Sequence, residues 1–266
     1  MKKIKIFYHF FACCPEYTLW LDEQLGLVRE CGLSKLSFVD VCISHTGNIS
    51  VDKVVHYIKE NFRGVVGSVM IIPKDKHHLH EGATLGEVFK FSQQNDGYKI
   101  LYFHSKGIGK TITDKKNPFN KEKFPFGFVY HHRQNIQNFC IKNHIKCMQE
   151  LDHVDVTGPR FRLFPVPYFS GNFWWANSSY IKTLQSPLNE DRFNAEINWD
   201  TVSKVTAWRI RRIKNKIPAY TRWGRSANEF WICNNTVFSD GACKTKLPKI
   251  KLSIMWRQRR HLFQKL

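Results

Sequence analysis

The chain has 266 residues, of which 14% are aromatic and 24% charged, so it can bury a full core and is too aromatic to be a disordered chain. Its net charge of +19 is uneven: residues 201–266 hold 16 Lys and Arg against 2 acids, whereas residues 1–200 hold 25 against 20. The body is nearly balanced, and the C-terminal quarter is a cationic block suited to a membrane surface, nucleic acid or polyanionic glycan.

None of the eight cysteines forms a CxxC pair or a Cys/His set with structural zinc spacing. Reduced, mostly buried thiols in a reducing compartment are expected. The start, MKKIKIFYHFFACC, has the basic and apolar regions of a signal peptide, but Lys5 and His9 interrupt the apolar stretch. A first β-strand is the better reading. No run of 18 apolar residues occurs, so a membrane-spanning helix is not expected and the chain is read as cytoplasmic.

In chain order, Lys3 to Phe11 predicts a strand, and Thr18 to Gly32 a helix stopped by its glycine. Leu36 to Ile43 predicts a strand, Asp52 to Phe62 an amphipathic helix, and Val65 to Ile72 a third strand. Ala83 to Ser92 predicts a helix and Lys99 to Phe103 a fourth strand. This alternation implies an α/β domain with a mostly parallel sheet and helices on both faces. Thr111 to Gly127 has no period and reads as a loop beside a site. Val129 to Leu151 carries the longest helical pattern, and Asp155 to Phe164 suggests a short strand and turn. Pro165 to Trp175 is dense in aromatic residues, and Trp208 to Ile217 and Ile250 to Leu266 are basic with interspersed apolar residues.

Three segments carry candidate chemistry. The fourth strand stops at His104, Ser105, Lys106 and Gly107. In an open α/β sheet, ligands bind beyond the carboxyl ends of strands, where these donors and the positive charge suit a phosphate. The following Gly109, Lys110 and Thr111 partly match a P-loop, but His104 stands where its first glycine belongs and no helical pattern follows. The second segment, FSGNFWWAN, combines Gly171 and Asn172 with Trp174 and Trp175. Flat aromatic faces beside an amide suit a sugar ring, and a buried aromatic core is the competing reading. In the third, RSANEFWIC, Glu229 lies among Phe230, Trp231 and Ile232, where burial would raise its pKa toward that of a general base. Arg225, one helical turn earlier, could instead pair with it. RFNAEINW repeats the pattern with Glu196. The histidines of KDKHHLHEG (His77, His78 and His80) read as solvated loop residues rather than a metal site.

These segments, in this order, resemble a group of bacterial and large-virus glycosyltransferases with the GT-A fold, over roughly residues 3–235. The shared features are a strand ending in HSKG, a GNFWWA segment followed by Tyr and Leu, and R-x-x-x-E-x-W-I. The resemblance implies sugar transfer from a nucleotide-sugar, UDP-sugar above all, to a glycan or lipid-linked acceptor in polysaccharide or lipopolysaccharide synthesis. It implies donor and diphosphate contacts from Tyr8, Asp40 (expected at the end of the second strand), His104, Ser105, Lys106 and Gly107. It implies acceptor contacts from Gly171, Asn172, Trp174, Trp175 and Arg225, with Glu229, or alternatively Glu196, as base. Many GT-A enzymes hold Mn²⁺ or Mg²⁺ on a DxD motif. HSK stands in that place here, so no metal ligand is assigned and metal dependence stays open.

Residues 1–235 would then form the transferase domain. Residues 236–266 would form a basic helical tail suited to anionic lipid at the inner membrane face. The alternatives are a P-loop-like phosphotransferase and a basic nucleic-acid-binding protein. The latter has no recognised motif, and nucleic acid is not an expected partner.

Overall fold

A computed structural model of the chain describes residues 3–45, 49–79, 81–105, 108, 126–162, 168–188 and 231–233. Among these residues eight strands are formed: β1 (Lys3–Ala12), β2 (Val39–His45), β3 (Val66–Ile71), β4 (Tyr98–His104), β5 (Val156–Thr157), β6 (Phe161–Arg162), β7 (Tyr168–Phe169) and β8 (Trp174–Asn177). The helices are α1 (Tyr17–Glu30), α2 (Val51–Asn61), α3 (Gly82–Gln94), α4 (Phe126–Gln137), α5 (His144–Glu150) and α6 (Ser178–Ile181).

The main sheet has six strands in the order β3-β2-β1-β4-β8-β5. β1 to β4 run parallel, and β8 is antiparallel to both β4 and β5. The fold is therefore a mixed α/β domain with a mostly parallel sheet. The chain winds outward from β1 to β3 and returns to lay β4 on the other side of β1. That reversal makes the carboxyl ends of β1 and β4 the switch point, where open α/β sheets hold ligands.

Alternation along the strands divides the core in two. Ile6, Tyr8, Phe10, Val41, Ile43, Leu101, Phe103 and Trp175 pack with Trp20, Leu21 and Leu25 of α1, Val54 and Ile58 of α2, and Ile136 of α4. Phe7, Ile100, Tyr102, Trp174 and Ala176 form a second cluster with Leu85 and Val88 of α3, Ile181 of α6, and Trp231 to Cys233. Because β1 and β4 are covered on both faces, they read as near-continuous apolar runs. Gly32 has φ +78° and bonds back to the Arg29 carbonyl, ending α1 where the sequence predicts.

The second strand starts three residues later than expected. Leu36 and Phe38 are apolar but exposed, at 45% and 56%, and they precede the strand rather than belong to it. The long helical pattern after residue 126 is broken by a π-turn, Asn138–Lys142, between α4 and α5. The turn presents carbonyls to side chains: Trp175 Nε1 donates to the Cys140 oxygen at 2.8 Å, and Asn143 Nδ2 to the Asn138 oxygen at 2.7 Å. At one sheet edge, β3 carries a bulge where Val66 pairs with Val39 and Ser68 with Asp40, leaving Gly67 extra.

Candidate functional site

The strand order brings the ends of β1 and β4 together. His9 of β1 lies opposite His104 of β4, and the Ser105 amide continues the ladder by donating to the His9 carbonyl at 3.0 Å. The Ser105 hydroxyl accepts the Phe11 amide at 2.9 Å. α1 reaches the same place: Gln24, fully buried, donates to the His104 carbonyl at 3.1 Å and accepts the Tyr8 hydroxyl at 2.6 Å.

The His104 ring is buried against the other face, beneath the start of α3. Its Nε2 lies 2.8 Å from the Gly171 carbonyl, and its Nδ1 lies 3.2 Å from Glu81 Oε1. Glu81 Oε2 accepts Asn172 Nδ2 at 2.7 Å and the Tyr102 hydroxyl at 3.4 Å, and Asn172 Oδ1 accepts Trp174 Nε1 at 2.9 Å. His9 is set beside this network, with Nδ1 at 2.8 Å from Thr84 Oγ1 and Nε2 at 3.2 Å from Ser44 Oγ.

The turn that receives His104 has unusual backbone. Gly171 has φ +104° and Asn172 φ +50°, and a Cβ at 171 would stand 3.1 Å from His132 Nε2 and 3.2 Å from Ile136 Cδ1. Only glycine sits there without strain, and Asn is among the side chains that tolerate the left-handed region. His132 Nδ1 is 2.5 Å from the Arg160 guanidinium, which only donates, so this nitrogen accepts. Arg160 itself has φ +55°.

The three motif segments meet in the second core cluster. Tyr102 and Trp174 stack at 5.2 Å between ring centroids, and Trp174 lies 6.2 Å from Trp231, two residues beyond Glu229. Trp231 Nε1 donates to the Gln185 carbonyl and Tyr180 donates to the Ile232 carbonyl, both at 2.9 Å. Burial pushes the Tyr180 hydroxyl up, so it stays a donor.

Several sequence expectations are corrected by this geometry. Trp174 and Trp175 are both fully buried, on opposite faces of β8, so neither offers an open face to a sugar. Tyr8 is fully buried beneath α1, and burial, with Glu23 nearby, pushes its hydroxyl well above the ordinary tyrosine range. It donates to Gln24 rather than to a ligand. Asp40 is the second residue of β2, opposite Phe7 and paired with Lys5 at 2.6 Å. It therefore lies at the amino end of the strand, about 17 Å of strand away from His45 at the carboxyl end. His104 is not open to a diphosphate, since both ring nitrogens face protein acceptors. Gly171 and Asn172 shape the turn, and Ser105 secures the end of β4.

Lys106, Gly107, Glu196, Arg225 and Glu229 lie outside the described residues, as do the C-terminal segment after 233 and His80. His77 and His78 fall in a 3₁₀ segment, Lys74–Leu79. Among the described residues, no group of three or more His, Cys, Asp and Glu stands ready to hold a metal ion, and no helix is long and apolar enough to cross a membrane.

Sequence reasoning missed Glu81, His9, His132 and Arg160. Glu81 ends a charged run, KDKHHLHEG, that reads as solvated. It is nonetheless 7% exposed, because as the N-cap residue of α3 it turns its carboxylate toward the sheet.

A family model described as a domain of unknown function, DUF8361, matches residues 7–244. The chain belongs to this family. The match takes in all three motif segments. No curated protein and no solved structure matches the chain.

Proposed function

We propose that the chain is a glycosyltransferase of GT-A type, transferring a sugar from a nucleotide-sugar to a glycan or lipid-linked acceptor. The observation that carries the reading is the meeting of the three motif segments. β4, ending in HSKG at the switch point, packs on β8 of the GNFWWA segment, and β8 packs on Trp231 of the RSANEFWI segment.

In the reaction, Glu229, or alternatively Glu196, takes the proton of the acceptor hydroxyl. That oxygen attacks the anomeric carbon, the bond from this carbon to the diphosphate oxygen breaks, and the electron pair leaves with the diphosphate. Lys106, two residues beyond the buried His104, would neutralise the charge that develops there. Arg225 would hold the acceptor or the base. The basic stretch after residue 200 would keep the enzyme at an anionic membrane surface, beside a lipid-linked acceptor.

A thermal-shift panel of UDP-, GDP-, dTDP- and CMP-sugars and ATP, each with Mn²⁺ or with EDTA, tests the proposal. A ligand at 100 times its Kd adds about 2.7 kcal/mol of stability. The expected result is stabilisation by one nucleotide-sugar class, lost in Lys106→Ala. The EDTA arm shows whether a divalent cation takes part. Stabilisation by ATP alone favours a phosphotransferase, and no shift with any ligand refutes sugar transfer.

A further inference from the structure

We propose that the β3 edge of the sheet is a membrane-contact surface, which seats the chain on anionic lipid and holds the switch point close to the bilayer. The edge adds to the membrane contact of the proposed function and rests on that reading for its purpose, while its test reads lipid binding alone. Among the described residues, β3 is the outermost strand on its side, with β2 as its neighbour. Met70 and Ile71 at its carboxyl end are exposed, and alternation sends them to opposite faces, so they straddle the edge. Leu36 and Phe38, in the segment that enters β2, are exposed at the other end. Phe38 stands against β3, since a Cβ at Gly67 would lie 2.8 Å from the Phe38 Cβ. Single exposed apolar side chains are ordinary, but four at one sheet edge form a stripe.

Cations flank the stripe at both ends. Lys35 precedes Leu36, Arg63 lies in the Phe62–Val65 turn before β3, and Lys74 and Lys76 follow β3 in the 3₁₀ segment; all four are exposed. Among the described residues, none of these four side chains takes part in an ion pair. Acids nearby are fewer or already matched. Asp75 lies between the two lysines, Glu60 at the end of α2 stands next to Lys59, and Asp40 is held by Lys5.

Apolar side chains between free cations match the acyl boundary and the anionic headgroups of a lipid surface. A second copy of the chain would bring the same cations against this edge and be repelled. Nucleic acid would meet the cations but find one aromatic ring to stack on, with three aliphatic side chains beside it. The polar backbone of an edge strand cannot enter hydrocarbon. Contact is therefore shallow, with side-chain tips at the acyl boundary and the strand among the headgroups. Register links this surface to the candidate site. Ile71 pairs with Ile43 and Ile43 with Phe10, so the end of β3 is level with the carboxyl end of β1. Two strand spacings, roughly 10 Å, separate them. A lipid-linked acceptor in the bilayer under β3 would present its head beside the switch point.

Hydrogen exchange of the full-length chain locates the contact. The probes are vesicles of phosphatidylglycerol with phosphatidylcholine, vesicles of phosphatidylcholine alone, and single-stranded oligonucleotides. Expected is slower exchange over residues 35–38 and 66–76 with the anionic vesicles alone. In cosedimentation with those vesicles, Lys74→Glu with Lys76→Glu should weaken binding by about 25-fold or more, at about fivefold for each cation lost from an anionic surface. Phe38→Ser with Met70→Ser should weaken it about tenfold or more at an unchanged melting temperature. Unchanged exchange over these residues in the unsubstituted chain overturns the proposal even if the variants fail to fold. The same protection from oligonucleotides, or from raising the protein concentration without lipid, also overturns it, by naming nucleic acid or a second copy as the occupant. Nucleotide-sugar binding is measured without vesicles, so its failure refutes sugar transfer while the exchange pattern still decides the role of the edge.

Discussion

Substituting alanine for glycine should have opposite signs at two positions of this chain. At Gly171, φ is +104° and an added Cβ would meet His132 Nε2 at 3.1 Å and Ile136 Cδ1 at 3.2 Å. Left-handed backbone costs a residue with a side chain about 1–2 kcal/mol. Crowding a packed site costs about 1–3 kcal/mol more, so Gly171→Ala should destabilise by roughly 2–5 kcal/mol. At Gly26, inside α1, nothing lies within 4 Å of an added Cβ, and alanine should stabilise by about 0.5–1 kcal/mol. For a domain of this size each kcal/mol moves the melting temperature by about 2–4 °C. Gly171→Ala should therefore melt roughly 4–20 °C below the unsubstituted chain, and Gly26→Ala a few degrees above it. Urea unfolding with an unchanged m-value would show that both substitutions change stability without changing the compactness of either state. A Gly171→Ala variant as stable as Gly26→Ala would refute the account of this turn.

Trp175→Phe should leave the Cys140 carbonyl without its indole partner inside the core, costing about 1–3 kcal/mol. Hydrogen exchange should quicken in residues 138–142, and protection equal to the unsubstituted chain would count against the bond. Burial pushes the Cys42 thiol up to about 12 in the folded chain, while an unfolded cysteine ionises near pH 9. The folded chain then keeps a proton that the unfolded chain releases. Its stabilising effect is complete below about pH 9 and is lost as pH rises toward 12, at up to 1.36 kcal/mol per pH unit. Cys42→Ala should flatten that alkaline decline in urea midpoints, and an identical slope would contradict the shift. Deleting residues 245–266 should weaken binding to anionic liposomes and spare nucleotide-sugar binding. Liposome binding that survives the deletion intact removes the tail from the proposed membrane contact.

Four strands and three helices were readable because β1 and β4 are buried on both faces and α1 and α2 keep one apolar stripe. The error at Asp40 came from Leu36 and Phe38, which are apolar yet exposed, so composition extended the strand backward. Trp174 and Trp175 looked like a binding platform because a local window cannot reveal that residue 174 enters the sheet beside β4. That pairing joins segments more than seventy residues apart. Glu81 was hidden for a related reason: its partners, His104 and Asn172, come from two distant segments.

Among the described residues, the two edges of the sheet differ in how they discourage foreign strands. β5 is only two residues long and offers little for another strand to join. β3 is longer, carries no charged residue, and exposes Met70 and Ile71 at 44% each, features that invite strand addition. Its bulge at Gly67 breaks the regular spacing of hydrogen bonds, so an incoming strand aligned with Ser68 to Ile71 falls out of step at Val66. Irregular backbone at this edge thus opposes strand addition, as charge does in other edge strands. An otherwise harmless change that removed the extra residue would be expected to open this edge to strand addition before it cost the chain its fold.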